Sequence, residues 1–299
     1  MPKVAITGAN GFIGSNLVRY FLSAGWEVVG LVRRPELARK FFEPHPRLRF
    51  SEFRMPGPIP EEALRGCDYL IHCAHVAYSK SAPDADQVNQ DSTRALLDSS
   101  RKLGVRKFVF VSSLSAHERA LSHYSLQKLR LEKLFDPEKD LIIRPGLVIG
   151  PGGLFGKIAR NVLKSPWTVL VGGGRQLVHA VWVGDLCRAS FKLLEKGYSG
   201  SFDLAETEPC TLRELCAILS QATGRPPRFV SVPLRVVSFA VWLAEFLRVP
   251  LPFSRENLLG LKALQRLDVR PLPAALEISL MPASQAAARV GRAISVSPR

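Results

Sequence analysis

The sequence predicts an α/β protein: a doubly wound parallel sheet with a smaller α/β lobe toward the C-terminus. Three observations predict it. Short, nearly continuous apolar strands alternate with amphipathic helices through the first half of the chain. A glycine-rich turn directly follows the first strand, and after Gly146 the rhythm breaks into glycine and proline clusters. Because strand–crossover–strand connections are right-handed, this alternation leaves the doubly wound sheet as the main solution.

The elements read in order. "KVAIT" (3–7) is a β-branched apolar strand that ends in glycines. From Phe12, apolar residues recur at Ile13, Leu17, Tyr20, Phe21 and Ala24, a helical period closed by Gly25. Strands follow at 27–32, 48–53 and 69–74, then a helix over 89–104 that stops at Gly104. A fifth strand is expected at 107–113, a helix at 124–135 and a sixth strand at 140–146. Beyond it come helices at 185–196 and 212–223 around a strand at 200–205. The expected organisation is a dinucleotide-binding domain over 1–150, a smaller lobe over 151–270 interleaved with it, and a Pro/Ala/Ser-rich basic tail over 271–299, helical or partly disordered.

Composition excludes several classes. Hydrophobic content of 46% and charged content of 22% fit an ordinary folded domain. The five cysteines are odd in number and include no C-x-x-C pair, so neither a disulfide framework nor a metal site is expected. The N-terminus runs straight into a strand with no room for a signal peptide, so a cytoplasmic protein is expected. The net charge of +15 is interspersed and never forms a block. It reads as a solvated basic surface, with a small-molecule substrate expected and no nucleic-acid partner. The most apolar stretch, 232–253, is interrupted by Arg235, Glu245 and Arg248, too soon for a spanning helix of about 20 residues. An amphipathic helix is expected there, and 229–253 is a candidate surface for peripheral membrane or protein docking.

"TGANGFIG" places Gly8, Gly11 and Gly14 between the first strand and its helix. In a first βα turn, such glycines serve for tight turning, close approach of a pyrophosphate and packing of helix on strand. Free N–H groups and the helix dipole then meet the diphosphate. The spacing is G-x-x-G-x-x-G. With its surroundings, the stretch resembles the short-chain dehydrogenase/reductase superfamily, in its extended or atypical NAD(P)-dependent epimerase/dehydratase branch, which has a Rossmann-type fold. The resemblance runs from Val4 to about residue 223, with specific motifs up to Asp185.

It implies cofactor-binding roles for Gly8, Asn10, Gly11, Phe12, Ile13 and Gly14 in the turn, for Glu52 and Phe53 beside adenine, and for Cys73 and Ala74 against the ribose. It also implies that Pro145, Gly146 and Leu147 cover the nicotinamide, that Asn89 is structural, and that two copies pair as a homodimer. An NAD site ends its second strand in Asp or Glu. Here the strand ends in Val32, Arg33 and Arg34, guanidiniums suited to a 2′-phosphate, so NADP(H) is expected in preference to NAD(H).

"SHYSLQK" carries Tyr124 and Lys128 one helical turn apart, 12 residues after Ser112. By chance a Tyr-x-x-x-Lys would occur about 0.2 times in this composition, so its position carries the argument. The resemblance implies an active site of Tyr124, Lys128 and a serine, either Ser112 or Ser113, with Ser113 preferred and Ser115 a further candidate. A phenol of pKa about 10 is a poor base at neutral pH, and a nearby cation lowers it. His75, His117 and His179 could also face a pocket, and Asp185 reads as an N-cap.

The pattern departs from nucleotide-sugar enzymes. Val178 stands where they carry an arginine, the 114–123 approach to Tyr124 is short, and no acid flanks the active serine. Three readings stay open: an NADP(H)-dependent oxidoreductase acting on a secondary alcohol or ketone, a sugar or nucleotide-sugar epimerase working by transient oxidation, and a non-catalytic NADP(H)-binding scaffold or sensor.

Overall fold

The computed structural model describes residues 1–78, 82–222, 224, 226–246, 255–264 and 266–296. Residues 247–253 of the apolar segment lie outside them. In chain order the first elements are β1 (Lys3–Thr7), α1 (Phe12–Ser23), β2 (Glu27–Val32), α2 (Pro35–Phe41), β3 (Leu48–Glu52), α3 (Glu61–Leu64) and β4 (Tyr69–His72). Next come α4 (Ala85–Lys102), β5 (Lys107–Val111), α5 (His123–Glu132), β6 (Leu141–Pro145), β7 (Leu147–Ile149), α6 (Gly153–Lys164) and β8 (Thr168–Val171). The remainder is β9 (Leu177–Val178), β10 (Ala180–Trp182), α7 (Val183–Glu195), β11 (Gly200–Leu204), β12 (Cys210–Thr211), α8 (Leu212–Gln221), β13 (Phe229–Val232), α9 (Leu234–Phe246), α10 (Arg255–Lys262) and α11 (Ala283–Val296).

The central sheet has seven strands in the order β11-β6-β5-β4-β1-β2-β3. The neighbours from β6 through β3 pair in parallel, with Val4 to Thr7 facing Tyr69 to His72 on one side and Val28 to Leu31 on the other. Chain progression reverses between β1 and β4, and open α/β sheets bind ligands outside the strand carboxyl ends at such a point. The strands are apolar because both faces are covered: Val4, Ala5, Ile6, Leu70, Ile71, Val109 and Phe110 are all fully buried.

Two compact units divide the chain. The first comprises Met1–Ser113, Gln127–Arg144 and Cys187–Phe202. The second comprises Leu114–Leu126, Pro145–Leu186 and Asp203–Arg299. This differs from the expected cuts at 150 and 270, because the chain passes between the units five times and contact, unlike sequence, does not respect linear order.

The first unit packs Leu31, Phe53, Leu70, Leu96, Phe108 and Phe135 into one cluster. Phe21 and Phe191 meet Trp26 in a second aromatic group, with ring centroids 5.0 and 5.3 Å away. Within the second unit, α8 opens with a capping box between Thr211 and Glu214, which satisfies two end N–H groups reciprocally. The 271–299 stretch, expected as a helix or a partly disordered tail, contains a helix. Its α11 buries Ala283, Ala286, Ala287 and Val290 at helical spacing, in one cluster with Phe155, Leu215 and Leu219. Small side chains let the helix approach closely: a Cβ on Gly291 would lie 2.7 Å from Ala222 Cβ. Helix α4 also begins four residues earlier than expected, at Ala85, and β5 ends at Val111.

Candidate active site

The first unit builds a cradle at the carboxyl ends of β1 and β4. Gly8 adopts φ +63°, where side chains strain, and its N–H donates to the Leu31 carbonyl oxygen at 2.9 Å. Gly11 is the N-cap of α1 and makes no side-chain cap, so the first N–H groups of the helix are left to a ligand. A Cβ on Gly14 would lie 2.2 Å from Gly8 O, so this glycine is required by packing alone. At Gly11 the nearest atom would be 3.1 Å away and φ is an ordinary −75°. Asn10 and Gly11 are exposed at the tip of the turn, and Phe12 and Ile13 are half-buried in the first helical turn.

The floor of the cradle is a hydrogen-bond network that the sequence reading missed. Thr7 Oγ1 accepts from the N–H groups of Cys73 and Ala74, both at 3.0 Å. With both lone pairs used, its proton goes to His72 Nδ1 at 2.8 Å. His72 is therefore the Nε2–H tautomer, donating to Thr93 Oγ1 at 3.1 Å. Burial, with Lys128 nearby, lowers the imidazoles of His72 and His75 to about 3, so both stay neutral. Asn89 holds the following loop through Val76, accepting from its N–H at 2.9 Å and donating to its carbonyl at 2.8 Å. The available signal was position: Thr7 and His72 end adjacent strands.

Arg33 and Arg34 are exposed at the end of β2. Glu52 is exposed and paired with Arg54, whereas the Phe53 side chain is 3% exposed in the core, leaving only backbone to face a ligand there. Cys73 is half-buried just after β4, and burial pushes its thiol up to about 12.

At the end of β5 the serines separate. Ser112 is 2% exposed, and its hydroxyl donates to Glu132 Oε1. Glu132 is itself buried and held by the Arg144 guanidinium, whose Nε lies 2.9 Å from Oε1. Ser113 is half-buried and stands next in the chain. Lys128 is buried, with Nζ 2.8 Å from the Val111 carbonyl oxygen and 4.6 Å from the Phe110 ring centroid. Desolvation lowers its pKa to about 8, while the nearby Cys73 and Glu132 raise it in part. Cys73 and Lys128 thus lie near enough for each to feel the other's charge. Tyr124, Lys128 and Glu132 follow at i, i+4 and i+8 on α5, and Tyr124 remains 44% exposed in its first turn.

The second unit holds the other expected residues. Ser115 accepts from Ser125 Oγ at 2.9 Å, and Ser125 in turn accepts from Ser122 Oγ at 2.8 Å. Pro145 is buried, and Gly146 donates its N–H to Leu204 O at 3.0 Å. A Cβ on Gly146 would lie 2.3 Å from His179 O, and Leu147 donates to that same oxygen at 2.8 Å. His179 is structural: Nδ1 donates to Glu206 O at 2.9 Å and Nε2 accepts from Leu267 N at 3.0 Å. Asp185 is not the N-cap, because α7 starts two residues earlier; its carboxylate accepts the Met281 N–H at 2.6 Å. Among the described residues no cluster fits a metal ion, and no helix is long and apolar enough to cross a membrane.

The model of a family described as NAD dependent epimerase/dehydratase matches residues 4–204. The chain is 36% identical over 166 residues to a ceramide reductase of Caulobacter vibrioides, covering 53% of this chain and about half, 51%, of that relative. It is 30% identical over 283 residues to a dTDP-4-dehydro-6-deoxy-D-allose reductase of a Streptomyces species, covering 78% of this chain and 85% of the other. Among solved structures, the Bordetella bronchiseptica enzyme WbmH in complex with NAD+ has the same fold, with a TM-score of 0.70 at 17% identity over 99% of both chains.

Proposed function

The chain belongs to the NAD dependent epimerase/dehydratase family of oxidoreductases and epimerases, and from that premise we propose that it is an NADP(H)-dependent oxidoreductase interconverting a ketone and a secondary alcohol. The observation that carries the reading is Lys128: a buried amine, cationic at neutral pH, one helical turn from Tyr124 on α5.

The cradle fits a dinucleotide. The uncapped start of α1 offers N–H groups to a diphosphate, and Gly11 keeps a methyl out of its approach. Arg33 and Arg34 would hold a 2′-phosphate. When bound, the nicotinamide cofactor supplies or accepts the hydride.

The chain's own part is proton transfer and orientation. Tyr124 gives its phenolic proton to the carbonyl oxygen in reduction and takes it back in oxidation. The Lys128 charge stabilises the phenolate and brings its pKa toward neutrality. Ser113 donates to the same substrate oxygen and fixes it, a role Ser112 is poorly placed for because its proton is committed to Glu132.

A reductase is favoured over a nucleotide-sugar epimerase because Val178 occupies the place of the epimerases' arginine. It is 4% exposed and paired with Cys210 across β9 and β12. The relatives named above are likewise called reductases.

The test is to follow NADPH and NADH consumption by the purified protein across a panel of ketones, with Tyr124→Phe alongside. Net NADPH oxidation, lowered about 10²- to 10⁴-fold by the substitution, is expected. Product formed without net cofactor change would move the assignment to epimerisation. If Tyr124→Phe left turnover intact, the catalytic reading would be lost.

A further inference from the structure

An exposed apolar face stands out in the second unit. Strands β8 and β13 pair in parallel with Val169 opposite Val230, and these side chains are 57% and 41% exposed. Trp167, just before β8, is 54% exposed, with the Arg228 guanidinium 5.6 Å above its ring. After the single residue Pro233, β13 runs into α9. There Val236, Phe239 and Trp242 are 54%, 61% and 59% exposed, and the last two rings lie 5.8 Å apart. The same helix buries Val241. A surface helix of a soluble domain turns polar residues outward; this one turns aromatics outward.

The sequence stretches that build the face are basic, with Glu245 near the end of α9 the one acid in 145–184 and 226–246. Residues 145–184 contain Lys157, Arg160, Lys164 and Arg175 and no acid; residues 226–242 contain Arg228 and Arg235 and no acid. We propose that the β8–β13 ribbon and α9 form a docking surface for an anionic lipid bilayer. Tryptophans flanked by arginines suit the headgroup level, where an amphipathic ring is half-solvated and a guanidinium meets phosphate. Helix α9, 13 residues and so about 20 Å long, is too short to cross a hydrocarbon core of about 30 Å, and lies in the interface instead. A second copy of the chain is the poorer occupant, because two such faces would bring like charges together.

The test is co-sedimentation of the full chain with vesicles of pure phosphatidylcholine and with vesicles in which about a third of the lipid is phosphatidylserine. Binding to the anionic vesicles alone is expected, weakened by salt and accompanied by a blue shift of tryptophan emission. Phe239→Ser/Trp242→Ser should weaken it about 10- to 100-fold. Arg228→Glu/Arg235→Glu should weaken it at least tenfold, on the order expected for removing and reversing surface charges. All four side chains tested lie on or beside the exposed face, and far-UV circular dichroism checks that each variant is folded. Failure to bind anionic vesicles, or binding untouched by both folded variants, overturns the proposal. So does a dimer that dissociates on Phe239→Ser/Trp242→Ser without any vesicle binding, which assigns the face to self-association.

Discussion

The Nζ of Lys128 donates to the Val111 carbonyl oxygen at 2.8 Å, from a side chain only 3% exposed. A lysine so buried resists its charge, and desolvation brings its pKa from 10.5 to about 8. The charge that would activate Tyr124 is thus present at neutral pH and lost as pH rises through about 8. We expect kcat/KM to fall on that alkaline limb, and Lys128→Met to lower it about 10²-fold or more and remove the limb. Stability has the opposite sign. Between about 8 and 10.5 the unfolded chain binds the proton that the native amine has released, so stability rises with pH across that window. Thermal unfolding measured beside kinetics separates the two effects: if stability falls with activity, the limb reports unfolding and not Lys128.

Ser112 and Ser113 are adjacent in the chain and differ in burial, Ser112 being 2% exposed and Ser113 half-buried. Ser112→Ala removes a donor from the buried Glu132 and should cost about 1–3 kcal/mol of stability with kcat little changed. Ser113→Ala should lower kcat about 10²-fold. Denaturant titration and steady-state kinetics on both variants decide the matter. The roles are reversed if Ser112→Ala loses turnover at full stability.

Arg33 and Arg34 are exposed where β2 ends, in the place where NAD sites carry an acid. Replacing both by serine should raise KM for NADPH about 10- to 100-fold, as loss of charge-assisted bonds to a 2′-phosphate would, and leave KM for NADH nearly unchanged. Equal effects on both cofactors would remove these arginines from recognition of the phosphate.

What the sequence revealed and what it hid divide along chain distance. The strands through β6 were visible because both faces of a parallel sheet are buried, so Val4–Ile6 and Leu70–Ile71 read as unbroken apolar runs. Tyr124 and Lys128 were visible because helix geometry pairs i with i+4. The Ser112–Glu132–Arg144 contact joins residues 20 and 12 positions apart, and no local period links them. For 271–299 the sequence left a helix and a partly disordered tail both open, because alanines bury little area each and their packing against α6 and α8 depends on fit, which composition does not record.

Gly11 and Gly14 look equivalent as letters of one motif, and the structure makes them unequal. An alanine at 14 would put its methyl against Gly8 O, Gly8 C and Ala9 Cα at 2.2, 2.9 and 3.0 Å, all backbone of the same turn. Helix α1 would have to move off β1, so Gly14→Ala should lower stability by about 3 kcal/mol or more whether or not cofactor is present. An alanine at 11 meets only Gly8 O, at 3.1 Å, with φ −75° that any residue adopts. Gly11→Ala should therefore fold with nearly unchanged stability and bind NADPH at least about tenfold more weakly, because its methyl stands where the diphosphate must come close to backbone. Melting curves with and without NADPH, together with a fluorescence titration, measure both quantities. A Gly11→Ala protein that binds NADPH like the parent would show that the turn is a packing device and not the cradle.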